Sequence, residues 1–126
     1  MAAPVLLVED DASLRGILAR YLRGRGLRIE EAASVEDALE AIEHGVRPGL
    51  VLLDVNLPGD NGWDLLRSGR LRAAGNPPVI VTSAVPVSPK KLAEFDVAGY
   101  LPKPCPLDAI VDTIERLLGE AAGRPA

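Results

Sequence analysis

Four short aliphatic runs punctuate the chain, and each ends in polar or charged residues. Val5-Leu6-Leu7-Val8 leads into Glu9-Asp10-Asp11, and Leu50-Val51-Leu52-Leu53 into Asp54. Val79-Ile80-Val81 leads into Thr82-Ser83, and Gly99-Tyr100-Leu101 into Pro102-Lys103-Pro104. Short apolar runs bounded by turn residues predict strands buried on both faces, as in a parallel sheet. Leu27–Ala32 alternates only at Leu27 and Ile29, which predicts a weaker strand at a sheet edge.

Between these runs the apolar period changes from two to about 3.6. Leu14, Ile17, Leu18, Tyr21 and Leu22 mark a first helix, capped by Asp11 or Ser13 and ended by Gly24 or Gly26. Ser34 caps a second, with Glu36 and Asp37 where the helix dipole favours acids, Ala38, Leu39 and Ile42 as its buried stripe, and Gly45 as its stop. His44 falls in its last turn as a solvated side chain. Gly62–Ala73 predicts a third, burying Trp63, Leu65, Leu66 and Leu71 and weakened near Gly69. Pro89 after a Ser88 cap opens a short fourth helix, about Pro89–Asp96, anchored by Leu92 and Phe95. The last, about Leu107–Leu118, buries Leu107, Ile110, Val111, Ile114, Leu117 and Leu118 before Gly119 ends it. Strict strand–helix alternation with right-handed crossovers gives an α/β fold, a five-stranded parallel sheet with helices on both faces. Every loop that follows a strand then opens at one edge, where ligands bind in such sheets.

Composition narrows this picture. At 126 residues the chain reads as a single domain, with a core about 5–118 and a tail at 119–126. Trp63, Tyr21, Tyr100 and Phe95 are the only Trp, Tyr and Phe residues, so the core must be aliphatic. A formal charge of −4 with no basic stripe argues against direct nucleic-acid binding. One cysteine, Cys105, excludes an internal disulfide and a cysteine-rich metal site. No signal sequence or membrane span is visible, so the expected compartment is the cytoplasm, without membrane insertion.

The sheet edge would gather Glu9, Asp10 and Asp54 with Thr82 and Lys103. On its own Asp54 reads as a loop cap; the other strands give it chemistry. Two carboxylates about 4 Å apart repel by roughly 4 kcal/mol at an effective dielectric near 20. Three together need protons or a cation, and an all-oxygen donor set points to a hard ion such as Mg²⁺. Lys103 can neutralise a phosphoryl oxygen and Thr82 can donate a hydroxyl. Around a carboxylate nucleophile at Asp54, these groups describe a phosphoryl-transfer site.

Val8-Glu9-Asp10-Asp11, Leu53-Asp54-Val55-Asn56-Leu57-Pro58-Gly59, Val81-Thr82-Ser83-Ala84 and Tyr100-Leu101-Pro102-Lys103-Pro104 together resemble the receiver domains of bacterial two-component response regulators. The resemblance covers about Val5 to Leu118 and implies the flavodoxin-like sheet order 2-1-3-4-5. It implies that Asp54 accepts phosphate from the phosphohistidine of a sensor histidine kinase or histidine phosphotransfer protein. Asp10 would coordinate Mg²⁺ directly and Glu9 through water, with Asp54 and the main-chain carbonyl of Asn56 completing the set. Thr82 and Lys103 would hold the phosphoryl oxygens, and Asp11 would be a helix cap or outer charge. A switch is implied in which Thr82 moves and Tyr100 rotates inward. That remodels the face built by the fourth helix, fifth strand and last helix, where a downstream protein target would bind. The alternative for Tyr100 is a half-buried edge aromatic with a wet hydroxyl.

The chain departs from the family where Cys105 and Pro106, in place of an aromatic, follow Lys103-Pro104. Cys105 then reads as a small packing residue. The proline-rich Val85–Pro89 loop and short fourth helix put the usual output geometry in question, and a cis bond before Pro104 is implied by the resemblance. Ala12, Gly16 and Ala19 beside Arg15 are expected on an exposed face of the first helix, available for kinase docking or simply solvated. Rival readings are a phosphohydrolase, which would place an Asp where Asn56 stands, and a phosphorylation-independent interaction module with a vestigial site. The reading adopted is a phosphoacceptor rather than an enzyme in the usual sense. It has no output domain attached, and acts by binding a partner or as a phosphorelay intermediate or sink.

Overall fold

A computed structural model describes residues 3–57 and 61–122, and side chains as far as residue 119. Among these residues five parallel strands form one sheet in the order β2-β1-β3-β4-β5. They are β1 (Val5–Val8), β2 (Ile29–Ala32), β3 (Leu50–Asp54), β4 (Val79–Ser83) and β5 (Gly99–Pro102). Strands β1 and β3 are buried throughout, as their unbroken aliphatic runs require. The edge position of β2 agrees with its weak alternation, although Leu27 falls outside the ladder.

Among the described residues six helices cover the two faces: α1 (Ala12–Gly24), α2 (Val35–Glu43), α3 (Trp63–Arg67), α4 (Arg70–Ala73), α5 (Pro89–Glu94) and α6 (Leu107–Ala122). Alternation splits the core in two. Val5, Leu7, Leu50, Leu52 and Ile80 pack with α1 and α6, while Leu6, Val8, Val51, Leu53 and Val81 pack with α2, α3 and α4. Among the described residues no helix is long and apolar enough to cross a membrane.

Caps settle the ends left open by composition. Asp11, not Ser13, caps α1, accepting from the Leu14 amide at 3.1 Å; Ser34 accepts from Asp37 at 3.0 Å and Ser88 from Lys91 at 3.2 Å. Three expectations fail. Residues 62–73 form two helices rather than one, because Gly69 adopts φ 74° and breaks the ladder between α3 and α4. α6 runs through Gly119 to Ala122, since about 1 kcal/mol of glycine penalty does not stop a helix docked along its length. In α1, Ile17 is 56% exposed and Ala19 only 1%. The buried face centres on Leu22; Ile17, five residues away at 100° per residue, points about 140° from it. Ala19 therefore belongs to the core and cannot belong to a docking face, whereas Ala12 and Gly16 are exposed.

Candidate functional site

The acidic edge is assembled by register. Val8 pairs with Leu53, and Asp54 pairs with Thr82, so the residues ending β1, β3 and β4 lie side by side. Glu9 and Asp54 are 2% and 4% exposed, while Asp10 is open to solvent. One carboxylate oxygen from each of Glu9, Asp10 and Asp54 lies within 4.8 Å of the other two. At that spacing each pair repels by about 3 to 4 kcal/mol at an effective dielectric of 20.

Lys103 supplies the counter-charge. The Lys103 backbone N–H donates to the Ser83 carbonyl at 2.9 Å, fixing the segment after β5 beside β4. Its ammonium reaches back to donate to Glu9 Oε1 at 2.6 Å and Asp54 Oδ2 at 2.9 Å. The peptide bond that follows, Lys103–Pro104, is cis. Burial raises the pKa of Glu9 above the ordinary 4.5, reinforced by the Asp54 charge and opposed by Lys103. For Lys103, burial pulls the other way, but the bonds to Glu9 and Asp54 prevail and hold it above 10.5.

Backbone groups aim the carboxylates. The Asn56 amide donates to Asp54 Oδ1 at 2.9 Å, and the Asp11 amide to Glu9 Oε2 at 3.3 Å. Gly62 closes the turn over Asp54, its N–H donating to the Val55 carbonyl at 3.0 Å. A Cβ there would meet the Asp54 carbonyl oxygen and Val55 Cα at 2.7 Å, so only glycine allows this approach.

The sequence model of the response regulator receiver domain matches residues 5–115. The chain belongs to that family. As a receiver domain it is a phosphoacceptor signalling module of two-component systems, and receiver domains as a class interact with histidine kinases or phosphotransfer proteins. The C4-dicarboxylate transport transcriptional regulatory protein DctD of Pseudomonas aeruginosa is 33% identical over 118 residues, covering 90% of this chain and 25% of DctD. The chain thus spans about a quarter of that relative's length. A CheY-like receiver domain protein from Methanospirillum hungatei superposes with a TM-score of 0.85 at 23% identity, covering 95% of this chain and 96% of its own. TrrA from Thermotoga maritima, solved in complex with Mg²⁺ and BeF, gives 0.78 at 24% identity and covers 92% of this chain and 99% of its own. These two structures establish the shared fold.

The receiver domain carries two hydroxyls at the end of β4, and they serve opposite faces. Ile80 and Thr82 point toward the α1–α6 side, where Thr82 and Lys103 line an apolar cavity of about 410 Å³ with Leu14, Leu18 and Cys105. Val79, Val81 and Ser83 point toward the α3–α5 side, and Tyr100, paired with Val81, packs on that same face. The structure therefore places Thr82 near Lys103 and on the opposite face of the sheet from Tyr100. Strand period decides this, because adjacent residues cannot share a face.

Ser83 is the residue missed. It is 1% exposed, its Oγ accepts from Asn56 Nδ2 at 2.6 Å and donates to the Val85 carbonyl at 2.5 Å. The Val85 amide in turn donates to Ser83 Oγ at 3.0 Å. Counting alternate positions from Val79 and Val81 would have found it. Cys105 is half-buried, and burial raises its thiol pKa above 9.0, in keeping with a packing role. Trp63 is likewise packing: it stacks on Phe95 with centroids 5.0 Å apart. Pro58, Gly59 and Asp60 lie outside the described residues.

Proposed function

We propose that Asp54 is the phosphoacceptor. An Asp54 oxygen attacks the phosphorus of a phosphohistidine on a sensor kinase or phosphotransfer protein; the P–N bond breaks and its electron pair returns to the histidine ring. Glu9, Asp10, Asp54 and the Asn56 main-chain carbonyl are the groups that would hold Mg²⁺, a hard ion matched to their oxygens. When bound, that ion supplies positive charge to the transferring phosphoryl oxygens. The fold accommodates such an ion in TrrA, and the 4.8 Å grouping of carboxylates offers suitable donors here. Lys103 then exchanges its hold on Asp54 for a phosphoryl oxygen, and Thr82 lies on the same side to donate to another. Ser83, bonded through Asn56 to the turn that carries Asp54, is the hydroxyl able to report to the Tyr100 face. The target-binding surface is assigned to α5, β5 and α6, and the setting is the cytoplasm.

The observation that carries this reading is the Lys103 ammonium bridging buried Glu9 and Asp54. Its test is incubation with Mg²⁺ and acetyl phosphate, followed by intact mass measurement. Wild type gains one phosphate; Asp54→Asn gains none, and chelation of Mg²⁺ abolishes the gain. Absence of an adduct on wild type would instead support the interaction module with a vestigial site.

A further inference from the structure

Arg15, expected on a docking face, is turned inward to the acidic edge. Its Nη1 donates to the Glu9 carbonyl at 2.9 Å, and its Nε lies 3.5 Å from Glu31 Oε1 on β2. The side chain is 21% exposed, which leaves little of it for a partner. Glu31 is itself held by Arg23, whose Nη1 and Nη2 reach Glu31 Oε2 at 3.2 Å and the Ile29 carbonyl at 2.9 Å. A strap thus runs from the end of β1 across α1 to the edge strand. On its other side the Glu9 amide donates to the Ala32 carbonyl at 3.0 Å.

We propose that Arg15 is a positioning residue for the cation site, an inference that rests on the reading of that site given above. The Glu9 carbonyl belongs to the peptide joining Glu9 to Asp10. Holding it fixes the plane from which both carboxylates project, and so the direction of two of the three oxygens gathered within 4.8 Å. Pre-set donor direction matters for Mg²⁺, which demands near-octahedral geometry. Electrostatics makes the opposite forecast, because a guanidinium beside the site repels a divalent cation. The sign of the mutant effect therefore separates positioning from bare charge.

The test is Mg²⁺ binding to the full chain by calorimetry, with the ¹⁵N–¹H signal of the Asp10 amide read in chelator. Arg15→Met removes both fork and charge, and Arg15→Lys keeps the charge but not the fork. Positioning predicts about tenfold weaker binding in Arg15→Met, the lower end of outer-shell effects on metal affinity. It also predicts a moved Asp10 signal and equal slowing with acetyl phosphate and with a kinase donor. Arg15→Lys falls between. Arg15→Gln, which loses the charge but keeps one amide donor too short for the full fork, gives a smaller loss in the same direction and serves if Arg15→Met melts early; bare charge would instead tighten binding in it. Unchanged or tighter binding in Arg15→Met overturns the proposal. If wild type binds Mg²⁺ and takes phosphate while Arg15→Met matches it, only this inference fails; if wild type does neither, the site reading fails with it.

Discussion

The acidic edge and the α5 flank meet at β4 but are held in different ways. At the edge, Glu9 and Asp54 are almost wholly buried and bonded to backbone amides and to Lys103. The flank has a helix of six residues with none fully buried, preceded by Val85 at 59% exposure. What pins it is the Trp63–Phe95 stack, with Lys91 Nζ 5.5 Å from each ring centroid and Arg67 5.3 Å from that of Phe95. Preorganised charge suits chemistry that must not wait for reorganisation. Elements that move are drawn from the weakly held end of a structure. The contrast assigns chemistry to one region and readout to the other, with Ser83 and Asn56 between them.

The largest effect expected from breaking the edge comes from Lys103→Met. It leaves two buried carboxylates facing each other without their cation. Full burial of such a broken pair costs 3–5 kcal/mol; because Lys103 is 23% exposed, about 2 kcal/mol is expected for the ion-free protein. Denaturant unfolding in chelator measures it. Adding Mg²⁺ should recover more stability in the variant than in wild type, because the ion replaces the lost charge. No such difference would mean that the carboxylates do not share a cation site.

The sheet and the gathering of Glu9, Asp10, Asp54 and Lys103 were legible because both follow from strand ends, which hydrophobic runs mark sharply. Side-chain faces were less legible. Ile17 and Ala19 exchanged places because a helical stripe read by residue type favours the larger apolar side chain, whereas the bundle needed a small one where α1 meets the sheet. Thr82 was preferred to Ser83 because both carry hydroxyls; alternation from Val79 and Val81 separates their faces, and the pairing of Val81 with Tyr100 shows which of the two shares the face of Tyr100. Gly69 was seen as a weak point, but φ 74° is a property of the folded backbone. Arg15 gave no local signal, since its partners lie on β1 and β2.

Breaking the flank should be milder and should spare the chemistry. Phe95→Ala removes the stack on Trp63 and two cation contacts from a half-buried site, costing about 1 to 2 kcal/mol. Trp63 emission should shift to the red as its ring becomes wetted. Phosphate uptake from acetyl phosphate should stay within about twofold of wild type, a change of some 0.4 kcal/mol in barrier. A loss of uptake as large as that of Lys103→Met would show that the two regions are one cooperative unit, and the division of labour would be abandoned.

The smallest effect is a slope, and its sign is diagnostic. Glu9 has its pKa raised above 4.5 by burial, so the ion-free folded state binds its proton more tightly than the unfolded chain does. A raised folded value means that this contribution is fully present below 4.5 and is lost as pH rises through the folded pKa. Lys103, held above 10.5, keeps its charge across that window and does not cancel the trend. Glu9→Gln cannot titrate, so subtracting its stability from that of wild type removes the carboxylates remote from Glu9 and leaves the titration of Glu9 together with its neighbour Asp54. In chelator the wild-type advantage should decline from pH 4.5 toward neutrality. With saturating Mg²⁺ the slope should reverse, because the ion binds the ionised carboxylate. A difference curve that rises with pH in chelator would show that the hold of Lys103 on Glu9 outweighs burial. The edge would then be a finished salt bridge rather than a site short of one positive charge.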